Sequence, residues 1–312
     1  MCLNPSSRTS LMVLLLGASL GVAACSSDSA GDGSGTGRDG GVLNSPFPDA
    51  NASLADGGPG TGHGADDPGC RHIDVVLSVD DSSSMQEEMS ALSNDVFPAF
   101  ARRLLEISDA RVDDFRVAVQ DACPTPATYH TRGEGGDCGF ASGKPWMVSG
   151  EANLEDKFRC VGAIDSSDYA CTGNNDDEQP ASAAAASFED PARTGGNAGF
   201  LRSNALLVVV SITDEDEQPT PDADAASVAA RLAAAKGGDM SKMVFLGIAG
   251  GRSCEGTYGH ADDAVKMKAI AGEFAARGRG VFWDLCDGRL EDGLGAALQV
   301  IENACDDFEP ID

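Results

Sequence analysis

The chain has 312 residues, with 22 lysines and arginines against 50 aspartates and glutamates, a formal net charge of −28. That balance argues against a nucleic-acid partner, because phosphate contacts need a basic patch. It fits an exported protein and suits cation binding, and it equally fits a chain that is simply kept soluble.

Residues 1–10 are polar, with Arg8 as the single charge, and Leu11 to Val22 is an apolar run. A run of about a dozen residues is too short to span a bilayer and matches the hydrophobic part of a signal peptide. The block Val22-Ala23-Ala24-Cys25 resembles a bacterial lipobox. That resemblance implies a signal over residues 1–24, a diacylated Cys25 as membrane anchor, and, from Ser26, sorting to the outer membrane. An ordinary signal peptide cut after Ala24 is the alternative. Losing Arg8 moves the charge from −28 to −29. Residues 25–69 hold the lipidated cysteine and then Gly, Ser and Asp in stretches such as GDGSGTGRDGG. So few large apolar side chains cannot drive folding, and the segment reads as a flexible leash. The protein is expected outside the cytoplasm, on the periplasmic face of the outer membrane or on the cell surface.

Residues 70–306 are long enough for one domain with a full core, followed by a tail over 307–312. Ile73 to Val79 reads as a buried strand. Gln86 to Ile107 reads as a helix, with Met89, Leu92, Val96 and Phe100 on one face and a kink or restart at Pro98. Phe115 to Val119 is a second strand. Residues 121–176 lack strong periodicity, apart from a short strand at Trp146-Met147-Val148, and read as a functional elaboration pinned by disulfides. Regular alternation comes next: a helix over Ala181–Phe188, a strand over Ala205–Thr213, a helix over Ala225–Ala235 and a strand over Met243–Ile248. A helix marked by Val265, Ala269, Ala271 and Phe274, a strand over Gly280–Trp283 and a helix marked by Leu290, Leu294, Ala297, Leu298 and Ile301 complete it. Apolar strands alternating with amphipathic helices predict an α/β fold, with a doubly wound, mostly parallel sheet covered on both faces.

With Cys2 and Cys25 set aside, eight cysteines remain of the ten: Cys70, Cys123, Cys138, Cys160, Cys171, Cys254, Cys286 and Cys305. An even number in an exported chain predicts disulfides, and none is spaced C-x-x-C. Local pairing predicts Cys123–Cys138, Cys160–Cys171 and Cys254–Cys286, with Cys70–Cys305 closing the ends of the domain.

Two strand ends carry oxygen-rich turns. Val79-Asp80-Asp81-Ser82-Ser83-Ser84-Met85 closes the first strand, and Asp80, Ser82 and Ser84 alternate, so a compact loop can aim three oxygens at one point. A carboxylate with two hydroxyls suits a hard divalent cation. Thr213-Asp214-Glu215-Asp216-Glu217 ends the strand at 205–213, and parallel strands place both turns at one sheet edge, where ligands bind. Capping of the next helix is the competing use of the first turn, since Asp and Ser are favoured caps. Glu217 reads as a solvated loop charge, and a second calcium near Asp216 has no support from spacing.

The pattern Asp80-x-Ser82-x-Ser84-Met85 after an apolar strand resembles the metal-ion-dependent adhesion site of von Willebrand factor type A domains. The resemblance covers about residues 70–306 and implies a Rossmann-like fold. It implies Asp214 as a further ligand, with Glu215 where that family usually has glycine. It also implies a threonine, best matched by Thr172, with Asn174 or Asp176 as alternatives. The block Asn197-Ala198-Gly199-Phe200-Leu201-Arg202 resembles a bacterial lipoprotein branch of these domains. The resemblance further implies a magnesium or calcium cofactor and a protein ligand offering an acidic side chain, bound by a membrane-anchored adhesion module that is not an enzyme. A metal-dependent hydrolase and a metal-stabilised envelope scaffold are the alternatives. His63, His72, His130 and His260 are scattered, without zinc-site spacing, and no G-x-S-x-G or P-loop motif occurs. Trp146 and Trp283 read as packing residues.

Overall fold

The structure, a computed structural model, describes residues 69–110, 112–164, 178–218 and 224–308. Residues 1–68, with the expected signal peptide, Cys25 and leash, lie outside the described residues.

Strand β1 (His72–Val79) is buried from Ile73 onward. Ile73, Val75, Leu77 and Val79 face one core cluster and Val76 the other. A strand apolar on both faces belongs in the middle of a sheet. The chain then passes through a 3₁₀ turn into α1 (Gln86–Ala91), a π-helical turn over Leu92–Val96, and α2 (Phe97–Ala110). The break expected at Pro98 takes the form of that π turn, in which the Phe97 N–H reaches back to the Leu92 carbonyl. Proline has no N–H, and its ring crowds the carbonyl four residues earlier, so widening the turn just ahead of it relieves the clash. Strand β2 (Asp114–Asp121) then pairs parallel to β1.

The elaboration after β2 holds more structure than its sequence periodicity predicts. Strands β3 (Arg132–Gly133) and β4 (Gly136–Asp137) form a small ribbon, and β5 (Met147–Val148) adds an antiparallel edge to β2. An unexpected helix, α3 (Leu154–Gly162), packs Phe158 against Phe97 and Phe100. The disulfide Cys138–Cys160 ties the ribbon to this helix. It corrects the expected pairs Cys123–Cys138 and Cys160–Cys171. The ribbon folds back onto α3, so closely that a Cβ on Gly133 would meet the Cys160 carbonyl oxygen at 1.9 Å. The nearest cysteine to Cys138 in space is therefore on the helix, not the one before it in sequence. Cys123 is disulfide-bonded as well, to a residue outside the described ones. Cys70–Cys305 and Cys254–Cys286 pair as expected.

The remaining elements alternate: α4 (Pro180–Ser187), β6 (Leu206–Ile212), α5 (Ala225–Ala234), β7 (Met243–Ala249), a ribbon of β8 (Cys254–Gly256) and β9 (Gly259–Ala261), α6 (Val265–Ala275), β10 (Gly280–Asp284) and α7 (Leu290–Asp306). The main sheet has six strands in the order β10-β7-β6-β1-β2-β5, parallel except for β5. Residues of α1 to α3 and α7 cover one face, and residues of α4 to α6 cover the other. From β1 the chain winds outward to β2, then crosses back to β6 and winds the other way. The switch point therefore lies between β1 and β6, where open α/β sheets form a crevice at the strand carboxyl ends. Both tryptophans serve packing: Trp146 meets Phe200 edge-on, and the Trp283 indole N–H donates to the Gly288 carbonyl. Among the described residues, no helix is long and apolar enough to cross a membrane.

The opposite edge of the sheet is held by Arg202, the last cation before β6. Its backbone N–H and Nε donate to the two oxygens of the fully buried Asp74 on β1, at 2.7 and 2.8 Å, and its guanidinium also reaches Asp114 on β2. Lys236 then caps the Arg202 and Ala205 carbonyls. One residue thereby ties the chain just ahead of β6 to β1 and to the next strand along, β2. Arg202→Met keeps the backbone N–H bond but strips the guanidinium from the buried Asp74, and is expected to lower stability by about 3–5 kcal/mol in urea denaturation.

Candidate metal centre

Strand register puts the two acidic turns side by side. Val79 pairs with Ile212, so Asp80 and Thr213 are the first residues past their strands. The ladder continues through both: the Asp80 N–H donates to the Ile212 carbonyl at 2.9 Å, and the Thr213 N–H to the Ile248 carbonyl at 3.1 Å. Asp80 is wholly buried. One of its oxygens accepts the Ser82 N–H at 2.8 Å, and the other accepts the Thr213 hydroxyl at 2.6 Å. The Ser82 and Ser84 hydroxyls lie 2.8 Å apart, and Ser84 Oγ donates to Asp214 Oδ1 at 3.3 Å. Asp80, Ser82, Ser84 and Asp214 thus form one hydrogen-bonded circuit. Ser82 stands at the N-cap of the 3₁₀ turn without a side-chain cap hydrogen bond. Thr172 lies outside the described residues, as do Asn174 and Asp176.

The electrostatics of this edge are one-sided. Burial, and then the Asp80 charge, push Asp214 up to about 6. Burial, Asp121 and Asp80 push Asp81 up to about 7. Burial raises Asp80 too, against hydrogen bonds from Thr213 and Ser82 that lower it. Glu88, on the first turn of α1, is raised to about 7 by burial and by Asp214, Glu87 and Asp80. It is only 1 % exposed, and its Oε2 has no hydrogen-bond partner. Buried carboxylates that crowd one another need positive charge to stay ionised. Two carboxylates and two hydroxyls form an all-oxygen set, which suits a hard divalent cation. The residues present fit such an ion. Among the described residues there is no cage of three or more His, Cys, Asp or Glu.

The second turn divides its acids between two tasks. Only Asp214 turns into the circuit. Asp216 accepts the Lys266 and Met267 N–H groups, both at 2.9 Å, and so caps α6. Glu217, expected in solvent, is instead buried at 1 % exposure, and its two oxygens accept the Ala181 and Ser182 N–H groups at 2.8 Å. The cause is local: α4 opens on Gln179-Pro180 with no side-chain cap of its own, and an anion favours the orphan N–H groups of a helix start. Thr213 is the participant that the sequence pattern does not single out. It anchors Asp80 and accepts the Glu215 N–H at 3.0 Å, and its signal is its place directly between the strand and Asp214.

No family model matches the chain, and no curated protein matches it by sequence. Among solved structures, it is similar to proximal thread matrix protein 1 from the mussel byssus, at 14% identity and a TM-score of 0.39, over 75% of this chain and 49% of that one. It is also similar to a von Willebrand factor type A protein from Catenulispora acidiphila, at 15% identity and a TM-score of 0.41, over 74% of this chain and 43% of that one. The chain thus spans less than half the length of either. Likeness at this level carries no weight of its own, and the architecture stands on strand order and register.

Asp81, Glu88 and Asp214 hold their protons to higher pH in the folded chain than they do when unfolded. The folded state therefore binds more protons between about pH 4 and 7, and its stability falls as pH rises through that window. In chelator, thermal melting is expected to show Tm dropping from pH 5 to pH 7, by an amount that shrinks when Glu88 is replaced by Gln.

Proposed function

We propose that the chain is a binding module of the von Willebrand factor type A kind, lipid-anchored outside the cytoplasm, that captures a protein ligand through magnesium or calcium. The observation that carries this reading is the hydrogen-bonded meeting of Asp80, Ser82, Ser84 and Asp214 at the switch point of the sheet. Those four side chains would hold the ion, with Thr172 as the proposed fifth. Thr213 acts behind them, fixing the Asp80 carboxylate by its hydroxyl. A bound divalent cation would offer an open coordination position to an acidic side chain of the partner, adding affinity and a geometric requirement together.

The disulfides Cys70–Cys305, Cys138–Cys160 and Cys254–Cys286 support maturation in an oxidising compartment. Cys25 as a lipid anchor at the outer membrane, with residues 26–68 as the leash, is part of the same proposal. We read the module as a binder and not an enzyme, because Asp80, Ser82, Ser84 and Asp214 are hydrogen-bonded to one another or to Thr213. The test has two arms. Titration of magnesium or calcium is expected to give binding heat and a rise in Tm of several degrees for the natural chain, and neither for Asp80→Ala or Asp214→Ala. Equal responses in all three would sink the metal site. Metal-dependent turnover of a generic phosphodiester, lost in Asp214→Ala, would instead favour a hydrolase.

A further inference from the structure

The β8–β9 ribbon leaves the carboxyl end of β7 and returns to α6, so it stands beside the two acidic turns. At its exit the Asp262 N–H donates to the main-chain carbonyl of Asp214 at 2.7 Å. Its tip lies on the start of α1. A Cβ built on Gly259 would come within 3.4 Å of Glu87 Oε2 and 3.6 Å of Glu88 Oε1, and Gly259 itself sits at φ +106°, where glycine is favoured. The ribbon thus grips Asp214 from one side and covers Glu88 from another. Two strands of three residues each do not hold such a position unaided. What anchors them is Cys254–Cys286, which joins β8 to the turn after β10. That turn is itself fixed by Asp284, whose carboxylate accepts the Gly251 and Cys286 N–H groups and pairs with Arg252.

Accessibility separates this disulfide from the others described. Cys254 and Cys286 are both half-buried, whereas Cys70, Cys305, Cys123 and Cys138 are all buried, so each other bond has at least one shielded end. A soluble dithiol can attack either half of Cys254–Cys286, but at most one half of each other bond.

We propose that the β8–β9 ribbon is a clamp on the cation site and that Cys254–Cys286 is its redox-sensitive lock. The proposal rests on the cation reading of Asp80, Ser82, Ser84 and Asp214. In the exchange a small-molecule or protein dithiol gives up two electrons and two protons and becomes a disulfide. Cys254 and Cys286 take these up and become thiols, freeing β8 from the β10 turn. The ribbon then loosens its hold on Asp214, and the site binds its ion more weakly.

Calcium and magnesium are titrated into the full-length chain, into Cys254→Ser/Cys286→Ser, and into Cys138→Ser/Cys160→Ser as a control. Hydrogen exchange at the Asp262 amide is followed in parallel. At least tenfold weaker ion binding and faster Asp262 exchange are expected in the first variant, with neither change in the control. Unchanged affinity in a folded Cys254→Ser/Cys286→Ser chain overturns the clamp, as does equal weakening in the control. If that variant does not fold, Gly259→Val with every disulfide intact displaces the tip by itself, and unchanged affinity there overturns the proposal equally. A natural chain that binds neither ion removes the cation reading, while Asp262 exchange still reports whether the lock holds the ribbon.

Discussion

The parallel pairing of β1 with β6 is the contact on which the rest depends. These strands are neighbours in space but are separated in sequence by β2, the disulfide-pinned elaboration and α4. Their register runs from Ile73 opposite Leu206 to Val79 opposite Ile212, and both strands end on the same rung. Each then turns at once into a polar loop. A slip of one residue would exchange the faces of Val208 and Val209, which serve different cores, so burial holds the register tightly. The convergence of Asp80 with Asp214 is thus a consequence of how two apolar strands pack.

The loops share out their polar groups on the same logic. Every buried helix start must find acceptors for its free N–H groups. In this fold α4 takes them from Glu217 and α6 from Asp216, both supplied by the turn after β6. That turn is therefore rigid for structural reasons, independent of any ligand. Asp214, two residues before the first of these caps, inherits the rigidity. A side chain held between a strand end and two helix caps is already placed, and under the proposed cation reading that lowers the ordering cost of binding.

Much of this was legible in the sequence because the strongest strands are continuous apolar runs and their ends are abruptly acidic. Ile73–Val79 and Leu206–Ile212 could hardly be read otherwise, and the positions of Asp80, Ser82, Ser84 and Asp214 are set by where those runs stop. What escaped depends on partners distant in the chain. Helix α3 carries Leu154, Phe158 and Val161 at helical spacing, but in a stretch so short and so crowded by glycine and cysteine that the period does not stand out. Cys138 pairs by the fold of a ribbon over that helix and not by proximity in sequence. Glu217 looks like one more charge in an acidic loop, and only the arrival of α4 beside it gives it a use.

The two edges of the sheet treat buried acid in opposite ways. At the amino edge Asp74 is as deeply buried as Asp80, yet Arg202 grips both its oxygens and Lys236 stands close behind. At the carboxyl edge Asp80, Asp214 and Glu88 act on one another, and their hydrogen bonds come from Ser, Thr and backbone donors. The chain has 22 basic residues and places one where an acid must be stabilised for the sake of the fold. An arginine among Asp80, Asp214 and Glu88 would relieve their repulsion in the same manner, but it would also fill the space and fix the charge permanently. On the proposed cation reading, leaving that edge to carboxyl and hydroxyl oxygens keeps the compensation external, and the relief of a buried repulsion is then available as binding free energy for the ion.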